Sequence, residues 1–273
     1  MTEVHRPQSR READAEGQAG FRQAAKAWVA PARRPRRLTG ISLFTRPMAA
    51  IAVAASVFAL MLVAFDHEIA RAMTREPDGV RSFLHYATDA VLVRWYLYPS
   101  GALLLALCFV DLRALPRARR WRARMLAVDA AYLFASVALA GVITNILKVL
   151  FGRARPPFLD EYGHLGFSFL RFGWDYSSFP SGHATTAGAV AAVGMVFFPT
   201  IRPALLVIGL CFAASRFVVE AHFASDVVIG FTIGFLTATV VARWLALRGV
   251  AYGFRAGGRG LAGLVPVRRR SLR

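Results

Sequence analysis

Six apolar blocks dominate this sequence and limit the folds that it can adopt. They run over roughly 47–65, 91–110, 125–149, 183–198, 203–219 and 227–247. A helix needs about 20 apolar residues to cross the hydrocarbon core of a bilayer, and most of the blocks are near that length. Since 56% of the 273 residues are hydrophobic, we predict an all-α polytopic membrane protein with six transmembrane helices.

The basic residues predict how these helices are oriented. If all six blocks are spans, 25 of the 34 Lys and Arg residues fall on one side of the membrane, in the two tails and the inner loops. Cytoplasmic segments carry an excess of Lys and Arg, so both termini are expected in the cytoplasm. The net charge of +18 is therefore mostly a consequence of topology and does not indicate nucleic-acid binding, although the tails could also touch anionic lipid headgroups.

The blocks define one six-helix membrane domain at residues 47–248. Basic cytoplasmic tails flank it at residues 1–46 and 249–273. We expect the first tail to be disordered and the second to contain little structure, because both are rich in Arg and lack a sustained apolar period. The polar stretch 1–46 is far longer than the basic start of a signal peptide, so the first helix is expected to remain as an uncleaved anchor.

Three polar clusters interrupt the apolar pattern at helix ends. Lys148 and Arg155 close the third helix, "PSGH" at 180–183 opens the fourth, and "SRFVVEAHFASD" at 215–226 joins the fifth to the sixth. With a cytoplasmic N-terminus, the ends of odd helices and the starts of even helices all face outward. The clusters are therefore predicted to share the outer membrane face.

The residue types in these clusters suit phosphoryl chemistry. A helix start preceded by Ser181 and Gly182 offers free N–H groups and a positive dipole end to an anion. If 222–226 is helical, Asp226 lies one turn from His222 and can hold one nitrogen of its ring. Taken singly, each cluster also has a plainer interpretation: a snorkelling pair of cations, a helix cap, or a surface histidine beside a capping aspartate.

Together, the clusters resemble the signature of the type 2 phosphatidic acid phosphatase superfamily. The matched positions are Lys148-x6-Arg155-Pro156, Pro180-Ser181-Gly182-His183 and Ser215-Arg216-x5-His222-x3-Asp226. All eleven fixed positions occur, in order, within about residues 141–235. The resemblance implies a bacterial inner-membrane lipid phosphatase. The distribution of basic residues predicts that its active site faces the periplasm. Because Lys148, Arg155 and Arg216 supply positive charge, we expect neither a metal nor another cofactor.

The resemblance also implies a role for each matched residue. His222 would be the nucleophile that forms a phosphohistidine, Asp226 would fix its tautomer, and His183 would protonate the leaving oxygen and then activate water. The phosphoryl oxygens would be held by Lys148, Arg155, Arg216, Ser181 and the amide of Gly182. Arg153 lies outside the signature, so the sequence leaves open whether it contacts substrate.

Several alternatives remain open from the sequence. A lipid phosphotransferase would use the same histidine with a different acceptor, and six spans with intramembrane polar residues also occur in transporters. A zinc site at His183, His222 and Asp226 is disfavoured by the three nearby cations. The lipid headgroup is undetermined among phosphatidylglycerophosphate, undecaprenyl pyrophosphate, phosphatidate and lipid A. The aromatic loop 156–179 is expected at the interface, as a lid or simply as an anchor.

Overall fold

The computed structural model describes residues 42–73, 78–112, 114–250, 252–254 and 264–266. Its helices are α1 (Arg46–Val63), α2 (Asp66–Met73), α3 (Asp78–Thr88), α4 (Arg94–Cys108), α5 (Arg117–Phe151), α6 (Leu159–Tyr162), α7 (Gly182–Phe197), α8 (Arg202–Val218) and α9 (Ala224–Leu247). Short 3₁₀ turns occur at Asp89–Val91, Pro156–Phe158 and Pro199–Ile201. Two three-residue strands, β1 (Tyr252–Phe254) and β2 (Leu264–Pro266), pair antiparallel.

The prediction of an all-helical membrane protein is confirmed, and each of the six apolar blocks forms a helix. Within the part of the chain that the structure describes, five segments are long and apolar enough to cross a membrane: Arg46–Val63, Arg81–Cys108, Arg117–Phe151, Pro199–Val218 and Ala224–Leu247. The remaining block forms α7, which has only 16 residues. The count of six spans therefore stays a prediction.

Helix α7 lies at the centre of the bundle, packed closely against α9. Its alanines are almost completely buried. The close approach depends on glycines in α9, because a β-carbon at Gly230 would lie 2.4 Å from the carbonyl oxygen of Ser181, and one at Gly234 would lie 1.9 Å from that of Thr185. Small residues spaced four apart allow helix backbones to approach in a membrane. This packing brings the start of α9 beside the start of α7.

Helix α5 ends before Gly152, where the chain turns back over one end of the bundle. Gly152 has a φ of 51°, a left-handed conformation that glycine adopts without steric cost. A β-carbon there would lie 1.9 Å from the carbonyl oxygen of Ser168. The loop is fixed to this turn by hydrogen bonds from Ser168 N to Gly152 O (2.8 Å) and from Ser178 N to Arg153 O (3.0 Å). Residues 153–181 therefore form an ordered loop across this end of the bundle.

The opposite end of the bundle holds the strand pair. Tyr252 is 1% exposed, and its hydroxyl donates to Asp129 Oδ1 at 2.5 Å. The expectation of little structure after residue 249 is therefore wrong for these two strands. Tyr252 is held because its ring packs on Tyr132, at 5.4 Å between centroids. The predicted disorder of the first tail concerns residues that lie, up to residue 41, outside the described part of the chain.

Candidate active site

The three polar clusters meet at one end of the bundle. The Nζ of Lys148, near the end of α5, donates a hydrogen bond to the carbonyl of Ser177. The N–H of Ser181, before α7, donates to the main-chain oxygen of Asp226 in α9 at 3.1 Å. These contacts join the first cluster to the chain just before the second, and the second to the third, so the three clusters lie together at one end of the bundle. That this end is the outer membrane face stays a prediction.

Three cations at this end retain hydrogen-bond donors without an acceptor. Within the described residues, Lys148 donates only to Ser177, and Arg155 uses Nε and Nη2 on Ser177 and the carbonyl of Trp174 but not Nη1. Arg216 gives Nη1 to Thr88 Oγ1 at 2.7 Å, while its buried Nε has no partner. An unpaired buried donor such as Arg216 Nε is costly, and three neighbouring cations with free donors have the chemistry that an oxyanion requires.

The start of α7 adds backbone donors to these cations. Ser181 is the N-cap and its Oγ accepts from Ala184 N at 3.4 Å, as the plainer interpretation of this serine proposed. In the described chain the amides of Gly182 and His183 have no acceptor, as is usual for the first turn of a helix. A β-carbon at Gly182 would lie 3.9 Å from Cε of Lys148. The free amides therefore lie beside a cationic side chain.

His222 is held in one tautomer by the chain that precedes α7. Its ring is 3% exposed, and Nδ1 lies 2.8 Å from the carbonyl oxygen of Ser178. A carbonyl only accepts hydrogen bonds, so Nδ1 carries the proton and Nε2 keeps its lone pair. No described residue hydrogen-bonds to Nε2. The ring therefore presents an unprotonated Nε2 that no described residue occupies.

The predicted direct contact between Asp226 and His222 is wrong. Helix α9 begins at Ala224, two residues after His222, so the pair does not share a helical face. The carboxylate of Asp226 accepts instead from Ser178 Oγ at 2.5 Å, from Phe223 N at 3.1 Å and from Arg153 Nη1 at 2.5 Å. Asp226 thus caps α9, and its link to the imidazole ring runs through Ser178.

The electrostatic environment favours the neutral form of His222. Burial lowers the pKa of His222 well below its ordinary value of 6.5, and the positive charges of Lys148, Arg155 and Arg216 lower it further. The hydrogen bond to Ser178 opposes this effect. An uncharged imidazole surrounded by cations suits an attack on a phosphoryl group.

A family profile described as the PAP2 superfamily matches residues 129–249. A lipid A 1-phosphatase of Rhizobium johnstonii is 33% identical over 226 residues, which cover 79% of this chain and 89% of that protein. The chain belongs to the PAP2 superfamily. A lipid A 1-phosphatase of Rhizobium etli is 40% identical over 117 residues, covering 41% of this chain and 50% of that protein.

One solved PAP2 structure is also similar, a transmembrane phosphatidylglycerolphosphate phosphatase of the PAP2 type from Bacillus subtilis. It has 20% sequence identity and a TM-score of 0.48, and the match covers 71% of this chain and 94% of that one. Similarity at this level is too low to carry conclusions about the present chain.

Several residues around the PAP2 site could not be found from the signature. Thr88, Ser177 and Ser178 contact signature side chains, but single hydroxyl residues in a loop give no recognisable sequence signal. Asp66 lies in α2, outside the matched segment, and is fully buried. Its one sequence signal is a carboxylate directly after an apolar block, a position that a helix start also explains.

The zinc alternative does not match the geometry of this site. Among the residues that the structure describes, no group of three or more His, Cys, Asp or Glu side chains is placed to hold a metal ion. The carboxylate of Asp226, one of the three proposed ligands, is occupied by Ser178, Phe223 and Arg153.

The aromatic loop of this PAP2 protein carries several exposed rings. Phe169, Phe172 and Trp174 are 70%, 80% and 60% exposed. Trp174 also stacks on the guanidinium of Arg155, with 4.5 Å from Cζ to the ring centroid. Exposed aromatic side chains are typical of the membrane–water interface. That the loop guides a lipid substrate stays a prediction.

Proposed function

We propose that this chain is a membrane lipid phosphatase that works through a phosphohistidine at His222. The observation that carries the proposal is the set of unpaired donors, on three cations and on the first amides of α7, around a histidine whose Nε2 is free. Catalysis of phosphoryl transfer depends mainly on positioning and on neutralising the charge of the equatorial oxygens. This set of groups meets both needs.

The reaction proceeds in two displacements. Nε2 of His222 attacks phosphorus, the bond from phosphorus to the lipid oxygen breaks, and His183 gives that oxygen a proton. Water then attacks the phosphohistidine, His183 takes a proton from the water, and inorganic phosphate leaves with His222 restored. The oxygens are held by Lys148, Arg155, Arg216, Ser181 and Gly182. Because these groups supply positive charge and donors, the reaction needs no divalent metal.

The preferred substrate is a lipid A phosphate, at the 1-position. The support is the similarity to a Rhizobium lipid A 1-phosphatase along 89% of its length. Phosphatidylglycerophosphate, undecaprenyl pyrophosphate and phosphatidate are the competing substrates, and a lipid acceptor in place of water would make the protein a phosphotransferase.

The site faces the periplasmic side of the bacterial inner membrane, and both termini are cytoplasmic. The support for this orientation is the charge distribution, with 25 of 34 basic residues on the side opposite the site. A lipid substrate therefore reaches His222 from the outer leaflet.

The test measures the inorganic phosphate that the purified protein releases from each of the four lipids. Lipid A is supplied in two forms, one phosphorylated at the 1-position and one phosphorylated only at the distal position. We expect turnover of the 1-phosphate in preference to the others, and an acid-labile phosphoenzyme with radiolabelled substrate. Glycerol or a second lipid, added as acceptor, separates hydrolysis from transfer. Absence of phosphate release from every lipid would contradict the function, and release without a phosphoenzyme would contradict the mechanism.

A further inference from the structure

A buried bridge of three charged side chains lies behind His222. Arg153 Nη2 is 2.8 Å from Asp66 Oδ2, and Nη1 is 2.5 Å from Asp226 Oδ1. All three side chains are at most 1% exposed. Asp66 also accepts from the amide of Ser225 at 3.2 Å and from its hydroxyl. Two carboxylates and one guanidinium are thus buried together. Removing these charges from water is costly, so stabilisation of the fold does not by itself explain the arrangement.

Arg153 is fully occupied by this bridge. Its side chain makes five hydrogen bonds: Nε and Nη2 to the carbonyl of His164, Nη2 to Asp66, and Nη1 to Asp226 and Ser225. A guanidinium has five N–H donors, so none remains for a phosphoryl oxygen. With every donor occupied, Arg153 has no free N–H for a substrate phosphate, which favours a structural over a substrate-binding role.

The bridge reaches the nucleophile through Ser178. The hydroxyl of Ser178 donates to Asp226 Oδ2 at 2.5 Å, and its amide donates to the main-chain oxygen of Arg153 at 3.0 Å. Its carbonyl is the group that accepts from Nδ1 of His222. Ser178 is therefore fixed on two sides by the bridge, and its third polar group sets the tautomer and direction of the ring.

We propose that Asp66 and Arg153 are positioning residues for the phosphoryl transfer, a role that rests on the proposed function. Asp66 balances the guanidinium, which holds Asp226 and the loop before α7, and the carbonyl of Ser178 then keeps the proton of His222 on Nδ1. Asp66 thereby links helix α2 to the active site, although it lies outside residues 129–249, the segment that matches the family.

The test uses Asp66→Asn, which keeps an acceptor for Ser225 but removes the charge opposite Arg153. A displacement of a reacting group by about 1 Å costs on the order of 100-fold in rate, so kcat should fall about that much while KM stays near its wild-type value, because the phosphate-holding side chains are unchanged. The matched control is Asp160→Asn, since Asp160 pairs with Arg71 at 3.2 Å on the surface. The control should keep wild-type kinetics.

Nitrogen NMR of protein with labelled histidine adds a readout that a purely structural role would not move. The wild type should show the proton of His222 on Nδ1, and Asp66→Asn should show a mixture of tautomers. Ser178→Ala, which removes the hydroxyl donor to Asp226 and leaves both ion pairs, should give the same two effects. That variant keeps the proposal testable if Asp66→Asn does not fold.

Wild-type kcat and an unmixed tautomer, in folded Asp66→Asn or in Ser178→Ala, would overturn the positioning role. Failure of the wild type to release phosphate from any lipid is a different result, because it contradicts the proposed function. In that case the ring-nitrogen measurement still decides whether the bridge sets the tautomer.

Discussion

Replacing His222 by asparagine should separate its chemical role from its structural one. The side-chain amide of asparagine can occupy the position of Nδ1 and donate to the carbonyl of Ser178, which is 2.8 Å from that nitrogen in the wild type. It has no counterpart of Nε2. Alanine at the same position removes both the nucleophile and the hydrogen bond.

The contacts of His222 set the expected magnitudes. The sequence suggested an exposed histidine of little structural value, but the ring is 3% exposed. Leaving a buried carbonyl without a partner costs about 1–3 kcal/mol, so His222→Ala should be less stable than His222→Asn by that amount. Both variants should lose turnover on the order of 10⁶-fold, as when a covalent nucleophile is removed from an enzyme that depends on it.

The assay combines denaturant unfolding in detergent with phosphate release and phosphoenzyme trapping. The matched control is His85→Asn, because His85 is exposed on α3, and it should leave stability and turnover unchanged. The reasoning is refuted if folded His222→Asn still forms a phosphoenzyme. Equal destabilisation of the asparagine and alanine variants would refute the assigned hydrogen bond.

The remaining predictions concern the acid, the metal, the pH dependence and the orientation. His183→Ala should slow an alkyl lipid phosphate far more than an activated aryl phosphate, and equal losses would exclude the acid role. Activity should survive EDTA and be inhibited by orthovanadate. If EDTA abolished activity and zinc restored it, the reaction would depend on a metal and the prediction would be wrong. Because burial lowers the pKa of His222, phosphoenzyme formation from an aryl phosphate should decline only well below pH 6.5, and a limb at pH 6.5 would contradict the neutral ring. Alkaline phosphatase fused after Gly173 should be active and after Arg119 inactive, whereas the opposite pattern would place the site in the cytoplasm.

The helical architecture could be predicted because it follows from local composition. Each apolar block is long enough to form a helix whose backbone satisfies its own hydrogen bonds, which a bilayer requires. The N-cap at Ser181 was also predictable, since a serine before a helix start has few other local roles. The two strands after residue 249 were not predictable, because Tyr252 depends on its contact with Asp129, more than a hundred residues away.

By itself, the sequence determined which groups could bind a phosphate and where along the chain they occur. Residue type and spacing are local properties, and the signature records them at fixed positions. Only the tertiary structure decided what orients His222. The helix register suggested Asp226, but α9 starts after the histidine, and the ring bonds the carbonyl of Ser178 instead. That carbonyl is positioned by two buried ion pairs, in which Arg153 joins Asp66, 87 positions away, and Asp226, 73 positions away. Such contacts depend on how helices pack and leave no periodic trace in the sequence.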